Sequence, residues 1–470
     1  MKPLYFLWAF VERFGANILS LAGNLVLAYL LTPDDFGLLA MVSIFSGLII
    51  VLVDAGMGDA LLQYKEPTRK DFNTVFFFNL AVAVALTLAY IALARPVALF
   101  FARPELQGIM YGLAPGPLLY GLTVTQQTRL RSRLRFKTIA VINLAAVTLA
   151  LTAAVATALA GGRYWALVVL QTGYPAAILL LLVIFTRWQL RPEFDRHTFA
   201  RLWKFSVNLL LYTIFNMLAQ YVFPMVLGWK FSATKAGYMS QAQKLHQTPA
   251  TSIETALSLT SYVLIAKKED PAERRAAVLR MFGVITLVNS LIAAAMCSLA
   301  QPLIATLFRD DWLPVVPYLR LMALWGLFYP IGTHMLLAFK LYDRTRVIRN
   351  VSLFEKSAIV AAALLLYPWG IETVIIAATL ISLIALVIYI TAAARLMGHR
   401  SGRRYATLLA GSLLIAMFAA AAAYAVTLAP LTPWLTLLAA ATTFLAVAAA
   451  TIRLIRPDYI TYLTARIRHR

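Results

Sequence analysis

The sequence predicts an all-α integral membrane protein of about 14 transmembrane helices, two pseudo-symmetric six-helix lobes followed by two C-terminal helices. Three observations predict it: an apolar composition, a series of uncharged runs of membrane length, and basic residues gathered in alternate loops. Hydrophobic side chains make up 61% of the 470 residues and charged ones 13%, where soluble chains run near one half and one quarter. Mean hydropathy is +0.77, and soluble multidomain architectures are thereby excluded.

Crossing the hydrocarbon takes about 20 apolar residues. Uncharged runs of that order lie at 14–31, 36–53, 72–94, 106–128, 138–162, 164–186, 205–229, 281–308, 321–339 and 373–394. The first run follows Glu12 and Arg13 and continues through Leu31 without a small-residue cleavage site, so it reads as a span rather than a cleavable signal. Residues 405–452 hold no charge over 48 positions. That is too long for one crossing, and Pro430 and Pro433 mark a turn that makes it two. Two further spans are interrupted by charge: 236–266 by Lys244 and Glu254, and 351–371 by Glu355 and Lys356.

An even count returns both termini to one side. With the N-terminus in the cytoplasm, 33 of the 42 Lys and Arg fall in cytoplasmic segments, as the positive-inside rule requires. Only Arg95, Arg103, Arg163, Lys230, Lys235 and Arg309 fall outside, and Lys244, Arg320 and Lys356 lie within spans. The net charge of +22 is therefore a juxtamembrane feature facing anionic headgroups, and nucleic acid is not a partner. Cys297 is the single cysteine, which rules out a disulfide or a Cys-x-x-Cys pair within the chain.

Self-similarity appears at an offset of 200 residues. The turn Leu31-Thr32-Pro33-Asp34-Asp35-Phe36-Gly37 falls on Phe231-Ser232-Ala233-Thr234-Lys235-Ala236-Gly237, and intramembrane Asp54 falls on Glu254. Six spans precede residue 200 and six follow, so the repeats are parallel, related about an axis along the membrane normal. The expected organisation is a lobe over 1–200, a second over 201–398, and a helix pair with a basic tail over 399–470. Two lobes of this kind suit alternating access, which favours transport over membrane catalysis.

The run Leu30 to Met41, continued by Asp54-Ala55-Gly56-Met57-Gly58 and Leu61-Leu62-Gln63, resembles the second-helix signature of the polysaccharide transport (oligosaccharide flippase) family. Further matches are Phe72-Asn73-Thr74-Val75-Phe76, the Gly162, Trp165, Ala166, Leu167 pattern, and Gly237-Tyr238 with Ser240, Gln241 and Ala242. That family belongs to the multidrug/oligosaccharidyl-lipid/polysaccharide exporter superfamily. The resemblance implies a flippase for a polyprenyl-pyrophosphate-linked oligosaccharide, multi-pass in the bacterial cytoplasmic (inner) membrane. Such a flippase would serve cell-surface polysaccharide biosynthesis; whether glycosyltransferases and a polymerase join it as partners is left open by the sequence. The resemblance also implies that spans 1, 2, 7 and 8 line the cavity.

A lipid-linked sugar needs a wet polar cavity open sideways to lipid, so polar helical stripes are its expected trace. Span 1 carries Arg13, Asn17, Ser20 and Asn24 on one face; span 7 carries Asn208, Tyr212, Asn216 and Gln220. Span 8 carries Gln241, Lys244, Gln247, Thr248, Thr251 and Glu254 around Pro249, and span 2 carries Ser43, Ser46 and Asp54. Arg13, Asn17, Asn24, Asn208, Gln220, Lys244 and Arg320 are the substrate-binding candidates, the cations for pyrophosphate. Arg320 either faces the cavity or snorkels toward Asp310 and Asp311. Asp54 and Glu254 are candidates for a coupling proton or Na⁺; no other cofactor is expected. Glu355 and Lys356 read as snorkelling at the cytoplasmic interface, and His246 and His334 as helix packing rather than metal ligands.

Two other classes fit part of the pattern. A membrane glycosyltransferase or polymerase would use an acidic pair such as Asp34-Asp35 in an outer loop. The outer loops are short, however, and Pro33 to Gly37 reads as a turn with Asp35 capping the next helix. A multidrug and toxin antiporter for cations would place carboxylates rather than Lys244 and Arg320 in its cavity.

Overall fold

The computed structural model describes residues 3–63, 67–186, 192–266, 270–342, 344–397 and 399–456. Among them every regular element is helical, the arrangement that satisfies backbone hydrogen bonds where water is absent. The chain divides by packing into two compact units, Met1–Ser240 and Gln241–Arg470.

The first unit holds α1 (Pro3–Leu30), α2 (Pro33–Asp54), the short α3 (Met57–Gln63), α4 (Arg69–Phe100), α5 (Glu105–Leu113), α6 (Pro115–Ser132), α7 (Phe136–Leu159), α8 (Trp165–Phe185) and α9 (Arg196–Lys230). It also includes the first turns of α10 (Ala233–Ala266). Here α7 packs against both α1 and α8, α4 against α6, and α9 along α2. That last contact carries α9 into this unit, so the packing division falls at residue 240. The repeat boundary at 200 is a property of the sequence pattern.

The second unit continues with α11 (Pro271–Ser298), α12 (Ala300–Leu307), α13 (Val315–Leu341), α14 (Thr345–Leu366), α15 (Ile371–Met397), α16 (His399–Thr427) and α17 (Pro433–Ile455). Within it α11 packs against α13 and α16, α15 against α13 and α14, and α16 against α17. Small residues let the last pair approach: Ala419, Ala423, Ala440 and Ala448 are buried around Phe444.

Nine helical segments among the described residues have the length and apolar character to cross a bilayer. Shorter apolar stretches run over Phe14–Leu30 and Val315–Phe328, so the count of 14 rests on the sequence reading. Leu88, Val183, Leu365, Met417 and Leu445 stand exposed on the long helices, as lipid-facing side chains do. The chain is a multi-pass membrane protein.

Two expected spans are broken. Residues 106–128 form α5 and α6, because Pro115 has no N–H to continue the α5 ladder. Residues 281–308 divide between α11 and α12 at Leu299. The long uncharged stretch turns where its prolines predict, between Thr427 and Pro433.

The 200-residue offset reappears as a physical contact inside the first unit. Thr234 Oγ1 donates to Oδ1 of Asp34, its own repeat mate, at 3.2 Å. A Cβ added at Gly37 would run into the carbonyl oxygen of Ala233, and one added at Gly237 into that of Pro33. Position 37 meets 233 as 237 meets 33. This reciprocity is what a local two-fold axis produces, here with bare glycine backbones allowing the approach.

Capping fixes the helix starts. Thr32 is the N-cap of α2, and Asp35 at N3 accepts from the Thr32 backbone N–H at 3.0 Å and from its hydroxyl at 2.7 Å. Asp35 thus closes a capping box rather than being the cap itself. Thr68 and Asp71 repeat this device at α4. The Thr198 hydroxyl shares its one proton between Asp195, the N-cap of α9, at 2.8 Å and Asp71 at 3.0 Å. The Thr198 hydroxyl and the His197 N–H hold the Asp195 carboxyl below its usual range. Helices α4 and α9 therefore start from one hydrogen-bonded knot.

Candidate functional site

The stripe on α1 points away from the helix that α1 packs on most. Glu12 accepts from Asn143 Nδ2 of α7 at 2.7 Å, and Gly15 and Gly23 lie against Leu144 and Leu151 of α7. At about 100° per residue, Asn17, Ser20 and Asn24 lie roughly a third of a turn round from that face. Asn17 is half-buried, Ser20 exposed and Asn24 buried. The Arg13 side chain lies outside the described set, as do those of Asn208 and Gln220 on α9 and Glu254 on α10.

The α10 stripe carries the clearest polar arrangement. Lys244 is exposed, although Gln241, Gln243 and His246 around it are buried. It sits about 16 Å along the helix from Ala233, near the mid-depth of a bilayer roughly 30 Å thick. Gln241 is 1% exposed, yet neither of its side-chain amide atoms has a hydrogen-bond partner among the described residues. A buried amide in that condition marks a place built for a polar guest or water. One helical turn on, the Thr248 hydroxyl bonds back to the Lys244 carbonyl at 2.8 Å, ahead of Pro249. The His246 ring packs against the bare Cα of Gly326 on α13, a close helix approach that fits the packing role.

The remaining candidates are taken up by the fold. Ser43 and Ser46 of α2 bond to carbonyls one turn back, and Ser46 reaches Tyr90 of α4 at 2.8 Å. Asp54, half-buried, accepts the Gly58 backbone N–H at 3.2 Å, bridging the kink where Ala55 and Gly56 take positive φ of 48° and 76°. Arg320 takes neither expected direction: its Nε donates to the Cys297 carbonyl at 3.2 Å and its guanidinium lies over the Tyr424 ring. It ties α13 to α11 and α16, because a buried backbone carbonyl and an aromatic face satisfy it locally.

Glu355 and Lys356 are also corrected. Both are buried, 8% and 7% exposed, and paired at 3.6 Å. The reason is register: α14 begins at Thr345, so exposed Arg346 and Arg349 occupy the interface and Glu355 lies about 9 Å beyond Arg349 along the helix. A relay holds it there, from Trp325 Nε1 to Ser382 at 3.2 Å and from the Ser382 hydroxyl to Glu355 Oε1 at 2.9 Å. The acidic pair after Pro33 is structural too. Arg103 meets Asp34 at 3.2 Å and Arg163 meets Asp35 at 3.4 Å. The sequence reading left these partners unassigned, because Arg103 and Arg163 lie far from the turn along the chain.

The family model described as polysaccharide biosynthesis protein matches residues 26–317, more than half of the chain. The succinoglycan biosynthesis transport protein ExoT of Rhizobium meliloti (strain 1021) is 27% identical over 340 residues, 69% of this chain and 66% of that one. The lipopolysaccharide biosynthesis protein WzxC of Escherichia coli (strain K12) is 22% identical over 321 residues, 67% of this chain and 64% of that one. The chain thus spans just under two thirds of the length of these relatives. Among solved structures, the lipid II flippase MurJ in an inward closed conformation superposes with a TM-score of 0.78 at 12% identity, covering 97% of this chain and 100% of that one. An inward-facing multidrug resistance MATE family transporter of the MOP superfamily gives 0.60 at 12%, covering 85% and 95%. At such identities the likeness is one of fold, and it is shared by flippase and drug exporter alike. The sequence match then separates the two: the chain belongs to the polysaccharide biosynthesis protein family.

Proposed function

We propose that this protein exports a polyprenyl-pyrophosphate-linked oligosaccharide across the cytoplasmic membrane by alternating access, with both termini in the cytoplasm. The observation that carries the reading is Lys244, a cation exposed at mid-membrane depth amid buried amides. An ammonium held there is costly unless used or paired, and its exposed face suits a pyrophosphate. ExoT is a succinoglycan biosynthesis transport protein and MurJ a lipid II flippase, which supports transport of a polysaccharide precursor on a lipid. No covalent chemistry is required, and a potential negative inside favours outward passage of an anionic headgroup by about 2.3 kcal/mol per charge per 100 mV.

Depleting the protein in its host is expected to trap the lipid-linked oligosaccharide on the cytoplasmic leaflet, read by comparing inverted vesicles with spheroplasts. Wild type and Lys244→Arg restore outward sidedness and Lys244→Ala does not. Unchanged sidedness with altered drug sensitivity would instead identify a cation exporter.

The carrier's return is coupled to a proton or Na⁺ at Asp54 or Glu254, the repeat-equivalent carboxylates. Asp54→Asn and Glu254→Gln are expected to flatten the response of transport to pH and Na⁺. Variants that keep the full wild-type response would remove both residues from the coupling step.

A further inference from the structure

Where α6 ends, the chain makes a tight turn into α7. It is closed by Arg133 N–H to Arg129 O at 3.2 Å, Leu134 N–H to Arg131 O at 3.0 Å and Arg135 N–H to Leu130 O at 3.0 Å. Leu134 sits at φ 55°, in the left-handed region a leucine seldom enters. That conformation delivers Arg133 and Arg135 to the same hollow as Arg129. The hollow measures roughly 210 Å³, and Gln126, Phe185 and Thr186 complete most of its wall. The Thr186 hydroxyl donates to the Leu182 carbonyl at 2.6 Å and lies 3.4 Å from Gln126 Oε1, which brings α6 beside the end of α8. Arg69, Arg133 and Arg135 act on Arg129 as like charges. Guanidinium groups gathered in one recess repel one another, and an anion shared among them offsets that repulsion.

A second, independent feature adjoins it. Phe185 of the wall is exposed, and Leu180, Val183 and Ile184 continue outward exposure along the last turns of α8. Those turns extend over about 8 Å of helix. A basic recess next to an unpartnered apolar ridge is complementary to one kind of molecule, an amphiphile with an anionic head. The charge bias puts the recess on the cytoplasmic side, where anionic lipids meet basic pockets between helices.

We propose that the recess of Arg129, Arg133 and Arg135 binds the phosphate-bearing headgroup of an anionic membrane phospholipid, whose acyl chains lie on the α8 ridge. The site is separate from the α10 stripe and does not depend on the transport reading. Bound lipid fastens α6, α7 and α8 to one another at their common end, which stabilises the first unit.

The test uses full-length protein in nanodiscs of phosphatidylcholine, alone or with a fifth phosphatidylglycerol. Lipids retained after release are counted by native mass spectrometry, and thermal unfolding is followed in parallel. Wild type is expected to retain phosphatidylglycerol at least tenfold over an Arg129→Gln/Arg133→Gln/Arg135→Gln variant and to melt higher in the mixed nanodiscs. Arg133→Gln alone, at an exposed position, gives an intermediate loss in a protein that folds normally. Ile184→Ser reduces retention with the arginines intact. An Arg274→Gln/Arg275→Gln/Arg280→Gln control, removing equal charge from α11, retains the lipid as wild type does. Equal loss in that control, undiminished retention in the first triple variant, or the same melting shift from inorganic phosphate in neutral nanodiscs would each overturn the proposal.

Discussion

Gly37→Ala and Gly237→Ala are each expected to abolish the proposed export and to destabilise the protein by about 3 kcal/mol, the upper end for overpacking. The added methyl meets a backbone carbonyl oxygen in both cases, of Ala233 and of Pro33. A flexible side chain would swing aside; these oxygens belong to the first turns of α10 and α2 and move only with the helices. Separating the two turns also stretches the Asp34–Thr234 hydrogen bond. Because the two approaches are halves of one crossing, the double variant costs little more than either single one, a non-additivity of the kind expected for residues in contact. Gly116→Ala is the control, since a Cβ there meets nothing within 4 Å. Thermal unfolding in detergent and complementation of a deletion strain are the readouts. Wild-type behaviour of Gly37→Ala would mean that the crossing is not a close contact in the membrane.

The second large effect lies in the Glu355–Lys356 pair. Removing Glu355 leaves the Lys356 ammonium buried without its carboxylate, which costs about 3–5 kcal/mol when a buried pair is broken from one side. Glu355→Ala is therefore expected to unfold at markedly lower temperature and to accumulate poorly. Glu355→Leu combined with Lys356→Leu recovers most of the loss, because a pair replaced by apolar side chains of similar volume leaves no stranded charge. Ser382→Ala falls between, since it deprives Glu355 Oε1 of its hydroxyl donor and Trp325 of its acceptor. If the double leucine variant is as unstable as Glu355→Ala, the loss comes from packing rather than from the stranded ammonium.

The fold class was readable because its determinants are collective. Hydropathy over about 20 residues does not depend on which helix neighbours which, and the turn at Pro430 and Pro433 follows from local geometry alone. The helix break at Pro115 was harder. Apolar composition runs through it, and only backbone conformation registers the interruption. Among the site candidates, Lys244 is exposed, whereas Arg320 bonds the Cys297 carbonyl and lies over the Tyr424 ring. Both are single cations in apolar runs and look alike in sequence.

By itself the sequence determined the membrane setting, the repeat of 200 residues and the residue types able to meet an anionic headgroup, since each depends on composition or spacing along the chain. Only the tertiary structure decided which charges were already spent. Whether Glu355 meets Ser382 depends on how α14 registers against α15, and whether Arg103 meets Asp34 depends on how the turn after α4 lies against the start of α2. The attraction between charges acts over a few ångströms, and distances on that scale between residues far apart in the chain are set by packing.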